Sequence, residues 1–422
     1  MKSKVVLGIT ALLALGVAVS LSSAQGGKRT LTVAAFPSLD DSIKVALTRF
    51  NKLNPDIDVK LTALQFGDHH QALTTALATG QGLHDVEAIE IGFVGKFAEG
   101  EGLEDFNKAP YNVSAATKKL WVDYTVAQAT SSDGRYIGIP TDIGPGTLFY
   151  RKDILDKAGV KPSELTTWEG YIEAGRKINA ADKKIFLINS AVGVANIIMR
   201  TNLASGEGIY FDKANKVLVG PDNARFLKAS PSPSSVRDAK LDAKIGEWSN
   251  EWYEGFKGGT VATQFSGAWL QGHFQNWMAP NTKGLWRVQD LPDGGFASWG
   301  GSFYAIPKAT KNKTDAWKFV RFMTLDRQQQ LDVFRSNGAF PALKSAWTDK
   351  AFGEPVEFLG GQQARALWKN AANKIKPIDV NKYDSVAETI VTTALTQVLD
   401  ENKDIKVALA EAKAELEKRA RR

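Results

Sequence analysis

The sequence contains no cysteine, and only four of its 422 residues are histidine. The absence of cysteine excludes disulfide bonds, thiol nucleophiles, thiolate-held iron–sulfur clusters and cysteine-type zinc sites. The histidines at positions 69, 70, 84 and 273 are too few and too scattered for a metal site. His69 and His70 are adjacent, and adjacent helical side chains point about 100° apart, so a solvated loop or helix start is favoured over chelation. We therefore expect neither a metal nor a cofactor.

Several motifs that carry chemistry are also missing. The sequence has no phosphate-binding loop and no dinucleotide fingerprint, and Ser190 lies in NSAVG rather than in a nucleophile elbow. Carboxylates are plentiful, but no pair stands in a context that indicates glycoside hydrolysis. The net charge of +7 comes from basic residues interleaved with acidic ones, so no nucleic-acid partner is expected. The sequence therefore gives no catalytic residue.

The first 24 residues have the layout of a secretory signal peptide. Lys2 and Lys4 precede an uncharged run over residues 5–19, and small residues follow up to Ala24. The run is shorter than the roughly 20 residues that a membrane-spanning helix needs. No cysteine follows it for lipid attachment. We expect cleavage near Ala24 and export of a freely diffusing protein.

Alternating and helical hydrophobic patterns follow one another over residues 30–91. Strand, helix, strand, helix and strand predict parallel pairing with helices on the sheet faces, which is an α/β fold. Ligand loops in such sheets lie at the carboxyl ends of the strands. Phe36, Ser38, Asp68 and Glu90 follow or end these predicted strands, so they are candidates for a binding site.

Three further segments carry local predictions. Two apolar strands near residues 136–140 and 147–150 are separated by Gly144-Pro145-Gly146, which predicts a bend where the chain changes domain. The stretch ASPSPSS over residues 229–235 predicts a surface loop. From Asp404, the spacing of Ile405, Ala408, Leu409, Ala412 and Leu416 predicts an amphipathic closing helix.

The sequence is rich in tryptophan, with 11 residues. A sugar ring offers an apolar C–H face and a rim of hydroxyls, so it needs a flat aromatic face beside short polar side chains. Trp269 and Trp299 lie in glycine-containing turns next to strands, which favours a ligand role over core packing. Trp248 and Trp252 stand four residues apart, and a core-facing helix and a ligand-facing one both explain that spacing.

Four segments together resemble one family. Residues 137–171, 259–274 and 299–323, and in the last third residues 336–347 together with 375–399, are similar, in this order, to segments of the family 1 extracellular solute-binding proteins of ABC importers. That family includes maltose- and other sugar-binding proteins. The resemblance covers nearly the whole chain after the leader, and it implies an α/β, two-lobed periplasmic-binding-protein fold (type II-like) with hinge crossings.

The resemblance also implies a division of the chain and a site. After a leader at 1–24, one lobe would comprise residues 27–140 and 292–346, and the other residues 141–291 and 347–422. The ligand would lie between the lobes, and the closed monomer would be recognised by inner-membrane ABC permease subunits. The ligand-binding candidates are Phe36, Ser38, Asp68, Glu90, Asp142, Trp269, Trp299 and Ser302.

We therefore expect a periplasmic protein that binds a mono- or oligosaccharide and has no catalytic activity. Ile89 and the Gly92-Phe93 pair depart from the pattern of maltose-binding members, which argues against maltose itself. Two alternatives stay open. The same fold could bind a polyamine, a peptide or a metal chelate, and the chain could be a secreted carbohydrate-active enzyme.

Overall fold

The computed structural model describes residues 27–229 and 231–420, so the predicted leader lies outside the described residues. All nine strands of the described residues belong to two sheets that share one strand, β4 (Ile139–Arg151). The strands are β1 Arg29–Ala35, β2 Ile57–Ala63, β3 Val86–Glu90, β4 Ile139–Arg151, β5 Phe186–Ile188, β6 Val261–Gly267, β7 Trp286–Gln289, β8 Ser298–Ala305 and β9 Phe340–Pro341.

Helices pack around the sheets, and short 3₁₀ and π segments connect some of them. None of the helices formed by residues 27–229 and 231–420 is both long enough and apolar enough to cross a membrane. The helices are α1 Leu39–Leu53, α2 Phe66–Thr79, α3 Ile91–Ala98, α4 Ala115–Lys118, α5 Asp123–Gln128, α6 Lys152–Lys157, α7 Trp168–Ala181, α8 Ala191–Arg200, α9 Ala224–Lys228, α10 Pro231–Asp238, α11 Asn250–Gly258, α12 Leu270–His273, α13 Lys313–Leu325, α14 Arg327–Asn337, α15 Ala364–Lys374, α16 Asp384–Glu401 and α17 Ile405–Ala420.

The N-terminal elements follow the predicted order. β1 pairs in parallel with β2 on one side and with β3 on the other. α1 buries Ile43, Ala46 and Phe50, which recur every three or four residues and so face the sheet. The alternating and helical hydrophobic patterns therefore predicted this part of the fold correctly, including the parallel pairing.

Strand β4 connects two sheets without a turn. Residues 139–145 pair with β8, whereas residues 146–151 pair with β6 and β7. The strand order is β2-β1-β3-β8-β4-β6-β5, and β4 also pairs with β7 and β9. The bend predicted at Gly144-Pro145-Gly146 is wrong, because the backbone stays extended there. The same residues do mark the point where β4 exchanges one partner strand for another.

Glycine is required in β4 for space and not for a turn. A Cβ at Gly144 would overlap the carbonyl oxygen of Trp299 on the neighbouring strand β8. The pairing of β4 with β8 shifts register twice, first between Pro140 and Asp142 and then across Gly144 itself, between Ile143 and Pro145. The two backbones therefore approach closely where β4 leaves the first sheet.

Two predictions in the last half of the chain had opposite outcomes. The loop predicted over residues 229–235 is wrong for residues 231–235, because α10 starts at Pro231, and Ser230 lies outside the described residues. Proline is tolerated in a first helical turn, where its missing N–H is not needed. The closing helix is confirmed as α17, which buries Ala408, Leu409, Ala412 and Leu416. These side chains join the apolar cluster that α17 forms with α16.

The apolar core is arranged around the shared strand. Ile143 and Phe149 of β4 both belong to the largest buried cluster of the described residues, which also contains Trp286 and Trp368. A second cluster lies under α7 and α8. Packing is therefore continuous along β4, and the lobe boundaries predicted near residues 140 and 291 stay a prediction.

The close approach at Gly144 predicts a specific loss of stability. We expect Gly144→Ala to lower the free energy of unfolding by about 1–3 kcal/mol, because the added methyl group meets backbone that cannot rotate away. Urea denaturation measures the change. Gly258→Ala is the control, since a Cβ there meets no heavy atom within 4 Å. Equal stability of the two variants would contradict the steric explanation.

Candidate ligand-binding site

A cavity of about 460 Å³ lies where both sheets and several helices meet. Its walls include the carboxyl ends of β1 and β3, parts of β4 and β8, and residues at or near the ends of α8, α11 and α16. The aromatic, charged and polar side chains of the lining include Phe36, Ser38, Phe66, Glu90, Phe93, Gln128, Asp142, Arg200, Glu247, Trp248, Trp269, His273, Trp299, Ser302, Asp384 and Glu388.

The structure brings seven of the eight predicted site residues together in this lining. They are Phe36, Ser38, Glu90, Asp142, Trp269, Trp299 and Ser302. Asp68 does not belong to the lining, because it lies on the exposed first turn of α2. A ligand-binding role for each of the eight stays a prediction.

The parallel strands deliver two of these groups. β1 ends at Ala35, so Phe36 and Ser38 lie at the sheet edge that parallel strands share. Glu90 is the last residue of β3, where its carboxylate accepts a hydrogen bond of 2.7 Å from the Gly92 amide and caps α3. This hydrogen bond fixes the Glu90 carboxylate at the carboxyl end of β3, where it lines the cavity.

Trp269 is held in one orientation by its surroundings. Its indole nitrogen donates a hydrogen bond of 2.8 Å to the carbonyl oxygen of Trp299. A Cβ at Gly267 would overlap that nitrogen, and a Cβ at Gly300 would come within 2.7 Å of it. The glycines around Trp269 and Trp299, which first suggested a ligand role, are therefore what lets the indole lie flat against the backbone.

Trp248 and Trp252 have different environments. Trp252 is 1% exposed and donates its indole N–H to Gln264, so it belongs to the core. Trp248 is 43% exposed, precedes α11 and has a positive φ of 65°. Its ring stacks on Trp269 with centroids 5.7 Å apart and planes 19° apart. Trp248 is not helical, so helical spacing does not set its position, although its ring still contacts that of Trp252 with centroids 5.3 Å apart.

One ion pair connects the helical side of the cavity. Arg200, the last residue of α8, donates a hydrogen bond of 2.7 Å to Glu388 of α16. The guanidinium carbon also lies 5.3 Å from the ring centroid of Trp299. The sequence does not predict this pair, because the two residues are 188 positions apart and the family-like segment that contains Glu388 does not indicate a partner for it.

Four lining carboxyl groups have raised pKa values. Burial raises the pKa of Glu90 to about 8, and hydrogen bonding from Gly92 offsets only part of this effect. Burial likewise raises the pKa of Asp142, Glu247 and Asp384, each to about 7. Near neutral pH these groups therefore lie close to their titration midpoints.

The histidines near the cavity are buried, contrary to the prediction of a solvated start of α2. His69 and His70 do lie in the first turns of α2, but they are 2% and 0% exposed. His70 faces the Phe66 carbonyl with Nδ1 and accepts from the Glu90 amide with Nε2, so its ring is neutral. Burial lowers the pKa of His70 to about 3. Its ring stacks on Phe93 at 4.0 Å and supports that wall.

No group of three or more histidine, aspartate or glutamate side chains in the described parts of the chain has an arrangement that could hold a metal ion. The chemistry of the cavity is therefore that of indole faces, carboxyl groups, one guanidinium and neutral polar groups. Such a lining can enclose a small polar molecule with a flat apolar face.

Comparison with known proteins agrees with this architecture. The family model described as bacterial extracellular solute-binding protein matches residues 36–330. The chain belongs to this family. The resemblance found in the four sequence segments is thereby confirmed at the level of the family.

Relatives and solved structures extend the likeness along the chain. An arabinooligosaccharide-binding protein of Bacillus subtilis is 25% identical over 420 residues, covering 96% of this chain and 95% of the relative. A lactose-binding protein of Rhizobium radiobacter is 27% identical, covering 83% of each chain. A crystal structure of an extracellular solute-binding protein of family 1 is 27% identical with a TM-score of 0.77, covering 93% of this chain and 100% of the other. The α/β, two-lobed fold predicted for this solute-binding protein is confirmed.

The raised pKa of Asp142 predicts how stability of this binding protein depends on pH. The folded state keeps a proton that the unfolded chain releases near its ordinary pKa of about 3.9, so this stabilising contribution is lost as the pH rises toward 7. An asparagine at this position cannot ionise. We therefore expect Asp142→Asn to exceed the parent in free energy of unfolding at pH 8, on the order of 1–2 kcal/mol, and by less at pH 5.

Urea denaturation at the two pH values measures this difference. Asp68→Asn is the matched control, because it changes the same group on the exposed first turn of α2. A stability gain that is equal at both pH values would show that Asp142 does not hold the proton.

Proposed function

We propose that this solute-binding protein captures a mono- or oligosaccharide in the cavity and delivers it to the membrane permease of an ABC importer. The observation that carries the proposal is the stacked pair of Trp248 and Trp269, which stands in a cavity whose remaining walls are rich in polar groups. An indole face matches the apolar face of a sugar ring, and carboxylates accept hydrogen bonds from its hydroxyls.

The names of the relatives support the same ligand class. The Bacillus subtilis and Rhizobium radiobacter proteins are described as binding arabinooligosaccharides and lactose. Both are binding proteins, so the proposal includes no catalytic turnover. Incubation of the purified protein with sugars that bind it, followed by analysis for cleaved products, tests this part.

Capture would bring the lobes together around the sugar. In the proposed division, residues 27–140 and 292–346 form one lobe, and residues 141–291 and 347–422 form the other. The cavity draws Phe36 and Glu90 from the first and Trp269 and Glu388 from the second. A ligand that contacts both lobes favours the closed state by its difference in affinity for the two states.

We also propose that the protein works as a monomer in the periplasm after removal of residues 1–24. Support comes from the leader pattern and from a family described as extracellular. N-terminal sequencing of the protein from a periplasmic fraction tests cleavage near Ala24, and retention of an intact leader would overturn it.

Isothermal titration calorimetry against a panel of mono- and oligosaccharides tests the ligand class. We expect at least one sugar of the panel to release or absorb heat on binding and to raise the Tm of the protein in a thermal-shift measurement. Folded protein that responds to no sugar in a broad panel would overturn the proposal. The alternatives, a polyamine, a peptide or a metal chelate, are then tested in the same instrument.

Two equally exposed tryptophans provide a matched pair for locating the sugar. Trp248 and Trp277 are each 43% exposed, but only Trp248 lines the cavity. We expect Trp248→Ala to weaken binding of a responding sugar by about tenfold or more, because a stacking face is lost. Trp277→Ala should leave the Kd within about twofold. Equal effects of the two variants on Kd would place the sugar elsewhere.

A further inference from the structure

The charges that line the cavity are unbalanced. Five carboxyl groups face it, from Glu90, Asp142, Glu247, Asp384 and Glu388. Among the described lining residues the sole cationic side chain is that of Arg200, and it forms an ion pair with Glu388. His273 also lines the cavity, but burial lowers its pKa to about 4 and keeps it neutral. The other four carboxyl groups form no ion pair in the described structure, and the charge of Arg200 lowers the pKa of Glu90, Glu247 and Asp384 without offsetting the effect of burial.

The hydrogen-bond partners of these four groups are all neutral. Glu90 accepts from the Gly92 amide, and Glu247 accepts from the Gln264 side-chain amide at 2.9 Å. Asp384 accepts from the Asn381 amide at 2.7 Å, and Asp142 accepts from Ser302. Neutral donors orient a carboxylate without balancing its charge. Burial disfavours the ionised form of a carboxyl group and raises its pKa, and a nearby positive charge stabilises the ionised form again.

A second observation points to a polar ligand in the same cavity. Gln128 is 1% exposed and lines the cavity, yet neither atom of its amide has a hydrogen-bond partner in the described structure. One carboxylate oxygen of Asp384 is buried in the same way. Buried polar groups in folded proteins are nearly always paired, so these atoms indicate hydrogen bonds that a bound molecule makes.

We infer that the sugar bound in this cavity carries a free amino group, which is a protonated ammonium when bound. The inference rests on the proposed function, in which the stacked indoles bind the sugar ring. The carboxyl groups of the lining then favour a sugar that carries a positive charge. An ammonium donates three hydrogen bonds and balances one of the uncompensated carboxylates. Glu247 is the favoured partner, because it directly precedes Trp248, whose ring stacks on Trp269.

The other ligand classes fit these observations less well. A neutral sugar would form hydrogen bonds with these carboxyl groups, but in its complex each of them would either stay protonated or ionise without a counter-charge. A linear polyamine would supply charge, but its ammonium groups only donate hydrogen bonds and would leave the buried Nε2 of Gln128 without an acceptor. An amino sugar supplies both the positive charge and the acceptor.

Matched sugars test the inference. Glucosamine, galactosamine and the disaccharide of glucosamine are each titrated beside the N-acetylated and the hydroxyl counterpart, with spermidine as a separate probe. We expect at least one free amine to bind about tenfold more tightly than both of its counterparts, as one charge-assisted hydrogen bond allows. Counterparts that bind as tightly as every amine would overturn the inference and leave the proposed function standing.

Two remaining outcomes also decide the question. A response to spermidine with no response to any sugar would overturn both the inference and the proposed function. Folded protein that binds neither sugars nor spermidine would likewise overturn both. Circular dichroism of each sample establishes that the protein is folded.

Isosteric variants test which carboxylate pairs with the ammonium group of the sugar. We expect Glu247→Gln to reduce the preference for the amine over its hydroxyl counterpart, measured as the ratio of the two Kd values of the same variant, by about tenfold. Glu251→Gln makes the same chemical change on the exposed surface of α11 and should keep the full preference. Asp384→Asn repeats the test if Glu247→Gln does not fold. A preference that survives both cavity variants would overturn the assignment.

Discussion

The arrangement of the whole molecule depends on one extended strand. β4 pairs with β8 through its first half and with β6 and β7 through its second, so the two sheets are joined by continuous backbone. The place where the partners change is crowded, because Gly144 lies directly against the Trp299 carbonyl. The same carbonyl accepts the indole N–H of Trp269. The Trp299 carbonyl group therefore contacts both the junction of the two sheets, at Gly144, and the aromatic wall of the cavity, at Trp269.

This arrangement explains why polar groups collect around the cavity. Strand ends and helix ends carry backbone groups without internal partners, and side chains placed there are half-sheltered from water. Glu90 ends β3 and caps α3, whereas Arg200 ends α8 and pairs with Glu388 in α16. Each group is fixed by its own element before any ligand arrives. A molecule that enters meets a preorganised set of donors and acceptors, which lowers the cost of binding.

Much of the first sheet could be predicted from the sequence, because alternating apolar residues and helical stripes are local signals. The same reasoning placed Phe36 and Glu90 at strand ends, where parallel topology brings them together. Gly144 shows its limit, since a glycine needed for a close backbone contact resembles a glycine needed for a turn.

The helical side of the cavity could not be predicted in this way. Arg200 and Glu388 meet only through the packing of α8 on α16, and no pattern near either residue indicates the other. Trp248 differs, because a local signal for its position exists. Ser249 caps α11 and accepts a hydrogen bond from the Trp252 amide, so Trp248 lies just outside the helix, where its φ is positive.

The stacked indoles have an optical consequence. Trp248 and Trp269 lie 5.7 Å apart with nearly parallel rings, a distance at which the electronic transitions of two chromophores couple. The coupled pair gives the near-ultraviolet circular dichroism of the molecule a component that depends on the angle between the rings. A molecule that binds beside the pair and changes the angle between the rings alters that component, so the cavity carries its own spectroscopic reporter without an attached dye.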